Sequence, residues 1–593
     1  MALPTQQRAK ETRSRTVLIW GIHILTWIPP ILIFFLMVKF RSSFWQLDCQ
    51  RIIKIVTDVS SGEGSWLHYF DHINAHRQPV TMIVYATIGW CSNWNDLAFA
   101  VITYILAAIS FICLALIVKR IVQDSFTCLW ITMLGSWVVF SPLRMSNWLM
   151  SWGIMWPLLD AFLWAGLALA VSRVRWPWKN VACGVCALLG SHVLLQGLLY
   201  WGVFPLALYA GARAEGWQPS KRWWVLWGGC GFIVAASYFN FGLTTIKTWG
   251  DAESSIPGLF TGAVAAASSM VRFGLQIATA YGSPLGPTVA GIPAAALVPG
   301  FTLFTGLLMA SWSAFRRWQQ DPWLGVWAGV VLYGLASCFL IMIGRHQLAW
   351  LEGYASLSRY HYASLFLVFG TVAMGFGKEN KLHRLFAIVI FTLVLQAGLT
   401  AVALYPETRS TLAYQRAVFP LEVLSGTYVG SKNFADVPQA LARRGIYNTS
   451  LLSKEDLRNK VQRGTNSDTL AGAIESVSSV RPQDSWIVRG WAAAQNSARK
   501  PDAVALFLVS PEVRLLAFSS RMEHSEAASH YRSTAGADAA GWTVTIPDGS
   551  LPQVTSRLQA FVVDGQSGEF RRVGAEIDWR LTAASQFSLI PSP

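Results

Sequence analysis

Apolar runs of about 16 to 25 residues recur from Thr16 to Tyr405, each long enough to cross a hydrocarbon core of roughly 30 Å. Inside a bilayer the backbone must satisfy its own polar groups, so a chain built from such runs is confined to a bundle of helices. Beyond Pro406 no run of that length follows. The whole chain is 53% hydrophobic and only 13% charged, which sets it apart from an ordinary soluble protein. The expected fold is mainly α: a polytopic membrane protein of about 11 spans, followed by a C-terminal extracytoplasmic β-sandwich.

Charge divides at the same place. Up to Tyr405 there are 27 Lys/Arg against 14 Asp/Glu; beyond it, 20 against 18. The net +15 therefore sits almost wholly in the membrane half and reads as a topology signal, not as a nucleic-acid footprint. The spans expected are 17–39, 97–118, 126–141, 151–172, 181–195, 198–210, 223–243, 288–312, 323–344, 361–376 and 385–404. Threading them with the basic loops inside leaves roughly 17 basic residues in short cytoplasmic loops, against about 10 over twice the length outside. That path puts the N-terminus in the cytoplasm and the tail outside. Arg8, Lys10, Arg13 and Arg15 precede the first run like a signal peptide, but Val17–Val38 is too long for one and contains Pro29-Pro30, so it reads as an uncleaved span. Pro79–Ile88 is too short to cross and reads as an interfacial helix, as does Gly262–Tyr281, which Arg272 interrupts.

Three parts follow along the chain: a transmembrane domain over 1–405 with an outer loop at 40–96, a helical connector over 406–470, and a β-domain over 471–593. In the last part, SWIVRGWAAA, DAVALFLVS, VRLLAFSS, GWTVTIPDG and RLQAFVVDG are short strands parted by Pro, Gly and Asp, the pattern of an antiparallel sandwich. All eight cysteines precede it. Cys183 and Cys186 form a CxxC inside an apolar helix with no second pair, which argues against zinc. Cys49 and Cys91 either meet on the outer face or remain free thiols. There is no P-loop, Rossmann glycine pattern, HExxH or GxSxG.

Chemistry concentrates in one loop, GEGSWLHYFDHINAHRQPVT (62–81), where Asp71, His72, His76 and Arg77 crowd into seven positions between nearly uncharged segments. Ionisable groups clustered at a membrane surface are a site hypothesis by default. A general base on the outer side must come from Asp48, Asp58, Glu63, Asp71, Asp96, Asp251, Glu253 or Glu352. Asp71 has the best context and Asp48 is second. Arg77 could grip a phosphate with its planar fork of donors, or snorkel to lipid headgroups. A second basic cluster, Arg345-His346 with Arg359, Tyr360 and His361, falls on the same side. Asp160, in WGIMWPLLDAFLW, is the one carboxylate deep in a span, and His192 lies in another toward its outer end. Each either binds a ligand or pairs with a neighbouring helix. A divalent metal could use Asp71, His72 and His76; no other cofactor is implied.

The order of these features resembles the GT-C membrane glycosyltransferases, which take sugars from polyprenyl-phosphate carriers on the outer face. It is most similar to a bacterial group whose first outer loop reads approximately Asn-Glu-His-Arg ahead of an apolar helix, here Asn74-Ala75-His76-Arg77. SPLRMSNWLMSWGIMW (141–156), LLQGLLYWGVFPL (194–206), YGSPLG (281–286) and SLSRYHYASLFLVFG (356–370) carry the rest of the likeness, over about residues 15–410. The resemblance implies an enzyme of the bacterial cytoplasmic membrane. Its donor phosphate would lie against His76, Arg77, Arg345, Arg359 and Tyr360, and its cavity would be lined by His72, Asn147, Asp160 and His192. Its acceptor would be a glycan, lipid or protein. Ala75 stands where the group has its acidic residue, so the base would be Asp71, about one helical turn earlier, or Asp48. A transporter or flippase of lipid-linked sugars, or a lipid-linked glycan polymerase or ligase, remains the alternative.

Overall fold

The computed structural model describes residues 5–40, 47–70, 72–73, 76–92, 94–149, 151–240, 320–345 and 361–375, with scattered positions from 305 to 317. In the tail it describes 454–465, 472–480, 485–493, 503–510, 514–519, 522–523, 539–547, 556–563 and 570–579. The described chain is mainly helical with a strand-rich C-terminal region, and it divides into two units. One holds 1–41 and 55–404; the other holds 42–54 and 405–593.

The first unit is a helical bundle. Its elements are α1 (Thr5–Phe40), the end of α2 (Leu47–Ser60), a hairpin of β1 (His72–Ile73) and β2 (His76–Arg77), α3 (Pro79–Ser92), α4 (Asp96–Ile121), α5 (Ser125–Val139), α6 (Met145–Leu149), α7 (Met155–Val171), α8 (Trp176–Ser191), α9 (Tyr200–Ala214), α10 (Lys221–Asn240), α11 (Leu324–Arg345) and α12 (His361–Gly375). Nine of the eleven expected spans thus coincide with a helix, while 385–404 and nearly all of 288–312 lie outside the described residues. Among the described residues, four helical segments are long and apolar enough to cross a membrane: Thr16–Val38, Leu97–Ile121, Ser125–Arg144 and Leu195–Ala214. Shorter apolar helices include Pro79–Ser92 and Met155–Val171. Large apolar side chains point outward along them: Trp20 on α1 is 66% exposed, and Val225 and Phe232 on α10 are 73% and 74%. Such exposure would be costly in water and is the ordinary state against lipid.

Helix ends are set by local chemistry. Asn95 caps α4 by accepting from the Leu97 N–H at 2.9 Å, and Asp124 caps α5 by accepting from Thr127 at 2.7 Å. Lys119 and Arg120 close α4 where its dipole favours cations. Several helix ends are also tied to one another. Arg120 Nε donates to the Val171 carbonyl at 3.4 Å, Lys179 pairs with Glu215 at 2.7 Å, and the Trp223 indole donates to Asn180 at 2.6 Å. At the opposite ends, the Val80 N–H donates to the His192 carbonyl at 3.2 Å. Gly334 lets α11 cross α12 backbone against backbone; a Cβ there would lie 2.6 Å from the Leu367 nitrogen.

The second unit carries β3 (Gly472–Val480), β4 (Ser485–Ala493), β5 (Ala503–Ser510), β6 (Arg514–Ser519), β7 (Met522–Glu523), β8 (Ala539–Pro547), β9 (Ser556–Val563) and β10 (Phe570–Trp579). They form two antiparallel four-stranded sheets, ordered β10-β9-β5-β6 and β3-β4-β8-β7. One buried cluster draws on both, with Val504, Leu506 and Leu558 from the first and Val488, Trp542 and Val544 from the second. The first sheet is apolar on its other face too: Ala505, Phe507, Phe561 and Phe570 pack with Val461 from the helix Lys454–Thr465. Strand β5 reads as a continuous apolar run, AVALFLV, because both of its faces are covered. That helix lies in the stretch expected to be a connector, yet it packs into the domain itself.

Candidate functional site

The loop expected to carry chemistry is tied into the helical unit. His72 pairs with Arg77 and Ile73 with His76 in a two-residue antiparallel ladder. Residues 72–73 and 76–77 are thus strand, not helix, while residue 71 lies outside the described residues. Arg77 is only 8% exposed. Its backbone N–H donates to the Tyr238 hydroxyl at 2.9 Å, and its Nη1 donates to the Ser237 carbonyl at 2.8 Å. A charged loop residue is thus drawn into the last turn of α10, where the guanidinium complements the carbonyl end of the helix. Pro79 then opens α3, whose first turn docks on the end of α8: besides the Val80 bond, Thr81 Oγ1 donates to the Val193 carbonyl at 3.3 Å.

A second polar group lies inside the bundle. After α5, Pro142 stops the helix, and the chain runs through 3-10 turns at Pro142–Arg144 and Ser151–Ile154 before α7 begins. Ser141 organises the break: its hydroxyl accepts from the Leu143 N–H at 3.3 Å and its carbonyl from the Trp148 indole at 2.9 Å. A Cβ at Gly153 would collide with the Asn147 backbone, so only glycine permits this return. The break delivers Arg144 to Asp160, Nη1 to Oδ2 at 2.7 Å, with the residues 1% and 2% exposed. Arg144 also lies over the Trp148 ring, 5.7 Å from its centroid. Tyr333 and Ser337, one turn apart on α11, are fully buried. Tyr200 donates to the Leu159 carbonyl at 2.6 Å and packs on the Tyr333 ring at 5.6 Å. Residues 192–200 join the two regions, running from the α3 contact at His192 to the Tyr200 ring.

The expected site residues are distributed as follows. Asp160 and Asn147 are buried in the bundle, and Asp160 takes the pairing role of its two alternatives. His192 caps α8, half-buried, with its Nδ1 2.9 Å from the Leu188 carbonyl. His72 and His76 form the hairpin with Arg77, and Arg345 ends α11. Asp48 stands on α2, in the part grouped with the second unit. Asp71, Arg359 and Tyr360 lie outside the described residues. Among the described residues no three His, Cys, Asp or Glu side chains come together as a metal site, and Cys91, Cys183 and Cys186 are free thiols. Arg144 was missed although a signal existed: an arginine between two apolar segments needs a partner, and Asp160 is 16 residues on. Tyr238 and Tyr200 gave no such signal, being ordinary aromatics of apolar helices.

Comparison with known proteins finds no matching family model, no matching curated protein and no matching solved structure.

Proposed function

We propose that this chain is a membrane glycosyltransferase of the GT-C type. It moves a sugar from a polyprenyl-phosphate carrier to an acceptor hydroxyl on the outer face of a bacterial cytoplasmic membrane. In this reading the bundle completes 11 spans with the N-terminus in the cytoplasm, and the two tail sheets form an extracytoplasmic β-sandwich. The observation that carries it is the anchoring of the His-Arg loop: Arg77 is pulled into the end of α10 and α3 is docked on α8, so an ionisable loop is fixed at one end of the bundle. Asp71, or Asp48 in its place, removes the acceptor proton. The acceptor oxygen bonds to the anomeric carbon as the bond from that carbon to the carrier phosphate breaks, inverting the centre. The carrier leaves as polyprenyl phosphate. Phosphate leaves readily, so a general acid is not obligatory, and His76, Arg77, Arg345, Arg359 and Tyr360 stabilise the charge that develops. His72, Asn147, Asp160 and His192 line or support the cavity.

The test is transfer from a lipid-linked sugar by the purified chain. Asp71→Asn keeps shape but removes the proton acceptor, so transfer should fall by about 10² or more with protein level unchanged. If Asp48→Asn alone abolishes transfer, the base is Asp48. If neither matters, sugar transfer at this loop is the wrong idea. A flippase of the same lipid-linked sugar, or a polymerase or ligase of lipid-linked glycans, is then the better reading. The buried Arg144–Asp160 pair favours the flippase among these, since ionisable groups inside spans commonly mark a transport path.

A further inference from the structure

Three of the four membrane-length segments, on α1, α4 and α5, leave a half-open groove of about 480 Å³ between them. Helices α1 and α5 run side by side in the same direction, because Ile19 and Ser125 share the groove while Thr26 and Ser136 bond further along. The groove therefore begins at the ends of the three helices where Lys119 and Arg120 close α4 and Ser125 opens α5. It reaches His23, seven residues past Thr16, or about 10 Å into the span at the rise of a helix. Its walls are mostly apolar, with Phe111, Ala115 and Leu129 among them. Two of the hydroxyls that reach it are occupied within their own helices: Thr26 donates to the Ile22 carbonyl and Thr132 to the Cys128 carbonyl, each at 2.8 Å.

Two features say what fits there. Exposed Trp20 and Ile24 on α1 and Ile112 and Leu116 on α4 each directly follow a residue of the wall (Ile19, His23, Phe111, Ala115), so the surface beside the groove is apolar and suits hydrocarbon, not water. The end of the groove is basic: exposed Lys119 stands one turn past Ala115 of the wall, on the same face of α4. Asp124, at the same end, already caps α5. His23 lines the wall, and on a helix the Cα–Cβ bond tilts it toward the N-terminus, hence toward the basic end. We propose that this groove binds an anionic glycerophospholipid of the surrounding bilayer. One acyl chain lies along Phe111, Ala115 and Leu129, the phosphate sits at Lys119, and His23 meets the polar linkage between them. This inference does not depend on the sugar-transfer reading.

The test uses the full chain, delipidated in detergent and titrated with dioleoylphosphatidylglycerol or dioleoylphosphatidylcholine, with bound lipid counted by native mass spectrometry. The wild type should retain one phosphatidylglycerol in clear preference to phosphatidylcholine. Lys119→Gln, an exposed change, should cut that preference about fivefold. Ala115→Phe should fill the groove and abolish retention. Should Ala115→Phe not fold, a measurement on the wild type decides: phosphatidylglycerol, and not phosphatidylcholine, should slow thiol modification at Cys128. Equal retention of both lipids, retention by a folded Ala115→Phe protein, or unaltered Cys128 reactivity would overturn the proposal. So would displacement of phosphatidylglycerol by an equal amount of a polyprenyl phosphate, which would assign the groove to the carrier.

Discussion

Ser136 Oγ on α5 donates to the Thr26 carbonyl on α1, at 2.6 Å, and Thr26 is the residue four before Pro30. A proline has no N–H, so Pro30 leaves that carbonyl without its helical donor. The neighbouring case is the same: Pro29 frees the Leu25 carbonyl, and the Trp137 indole donates to it at 3.1 Å. Two consecutive residues of α5 thus answer two consecutive prolines of α1. In a bilayer core, where water cannot substitute, this is what allows Pro29-Pro30 to stand inside a membrane-length helix.

A double-mutant cycle should expose the dependence. Ser136→Ala in the wild-type background should lower stability by about 0.6 kcal/mol, with roughly 1.7 as a ceiling. Pro30→Ala returns an N–H to the Thr26 carbonyl, so in that background Ser136→Ala should cost much less. Unfolding in mixed micelles followed by circular dichroism reads both. Equal costs in the two backgrounds would mean that Ser136 acts through packing alone.

The bundle helices were legible because apolar length and loop charge are long-range, redundant signals; α4 and α5 even carry their caps, Asn95 and Asp124, in sequence. Strand β5 was legible for the same reason, every residue from Ala503 to Leu508 being buried. The hairpin at 72–77 was not, since a ladder of two residues has no period to read. Helix α2 lies where a loop was expected. The site itself depends on meetings that local pattern cannot carry: Arg77 and Tyr238 are 161 residues apart in the chain.

The Arg144–Asp160 pair should behave as a unit. Asp160→Asn or Arg144→Met leaves the other charge buried and uncompensated, a loss of about 3–5 kcal/mol, and should reduce folded yield sharply. The double variant Arg144→Met/Asp160→Leu removes both charges and should regain most of that yield. Size-exclusion profiles of the three proteins check this. If the double variant folds but no longer transfers sugar, the pair serves the site as well as the fold.

A pH effect should appear at Glu215. Burial alone raises its carboxyl pKa, but the hydrogen bond and charge of buried Lys179 outweigh this and hold it below its ordinary value of 4.5. A depressed folded pKa adds stability above the unfolded value, which is lost as pH falls through the folded one. The contribution is therefore full above about pH 4.5 and fades on further acidification. The Glu215 side chain is 40% exposed, so solvent screening keeps the effect near 1 kcal/mol or less. Thermal unfolding of Glu215→Gln should start lower at neutral pH and converge with the wild type in acid.

The last expectation separates gripping a phosphate from holding a loop. Arg77 is bonded through its backbone N–H to Tyr238 and through Nη1 to Ser237, so Arg77→Ala disturbs both the loop anchor and any phosphate contact. Tyr238→Phe removes only the acceptor for the Arg77 N–H and leaves the guanidinium charge in place. Charge-assisted contacts are worth about 1.5–3 kcal/mol, so loss of a phosphate contact should raise the donor KM by roughly tenfold to a hundredfold. Arg77→Ala should show that rise and Tyr238→Phe should not, while Arg77→Lys should recover part of it through charge without the planar fork. If Tyr238→Phe raises the donor KM as much as Arg77→Ala does, then Arg77 works by positioning the loop. The phosphate must in that case be held by Arg345, Arg359 or His76.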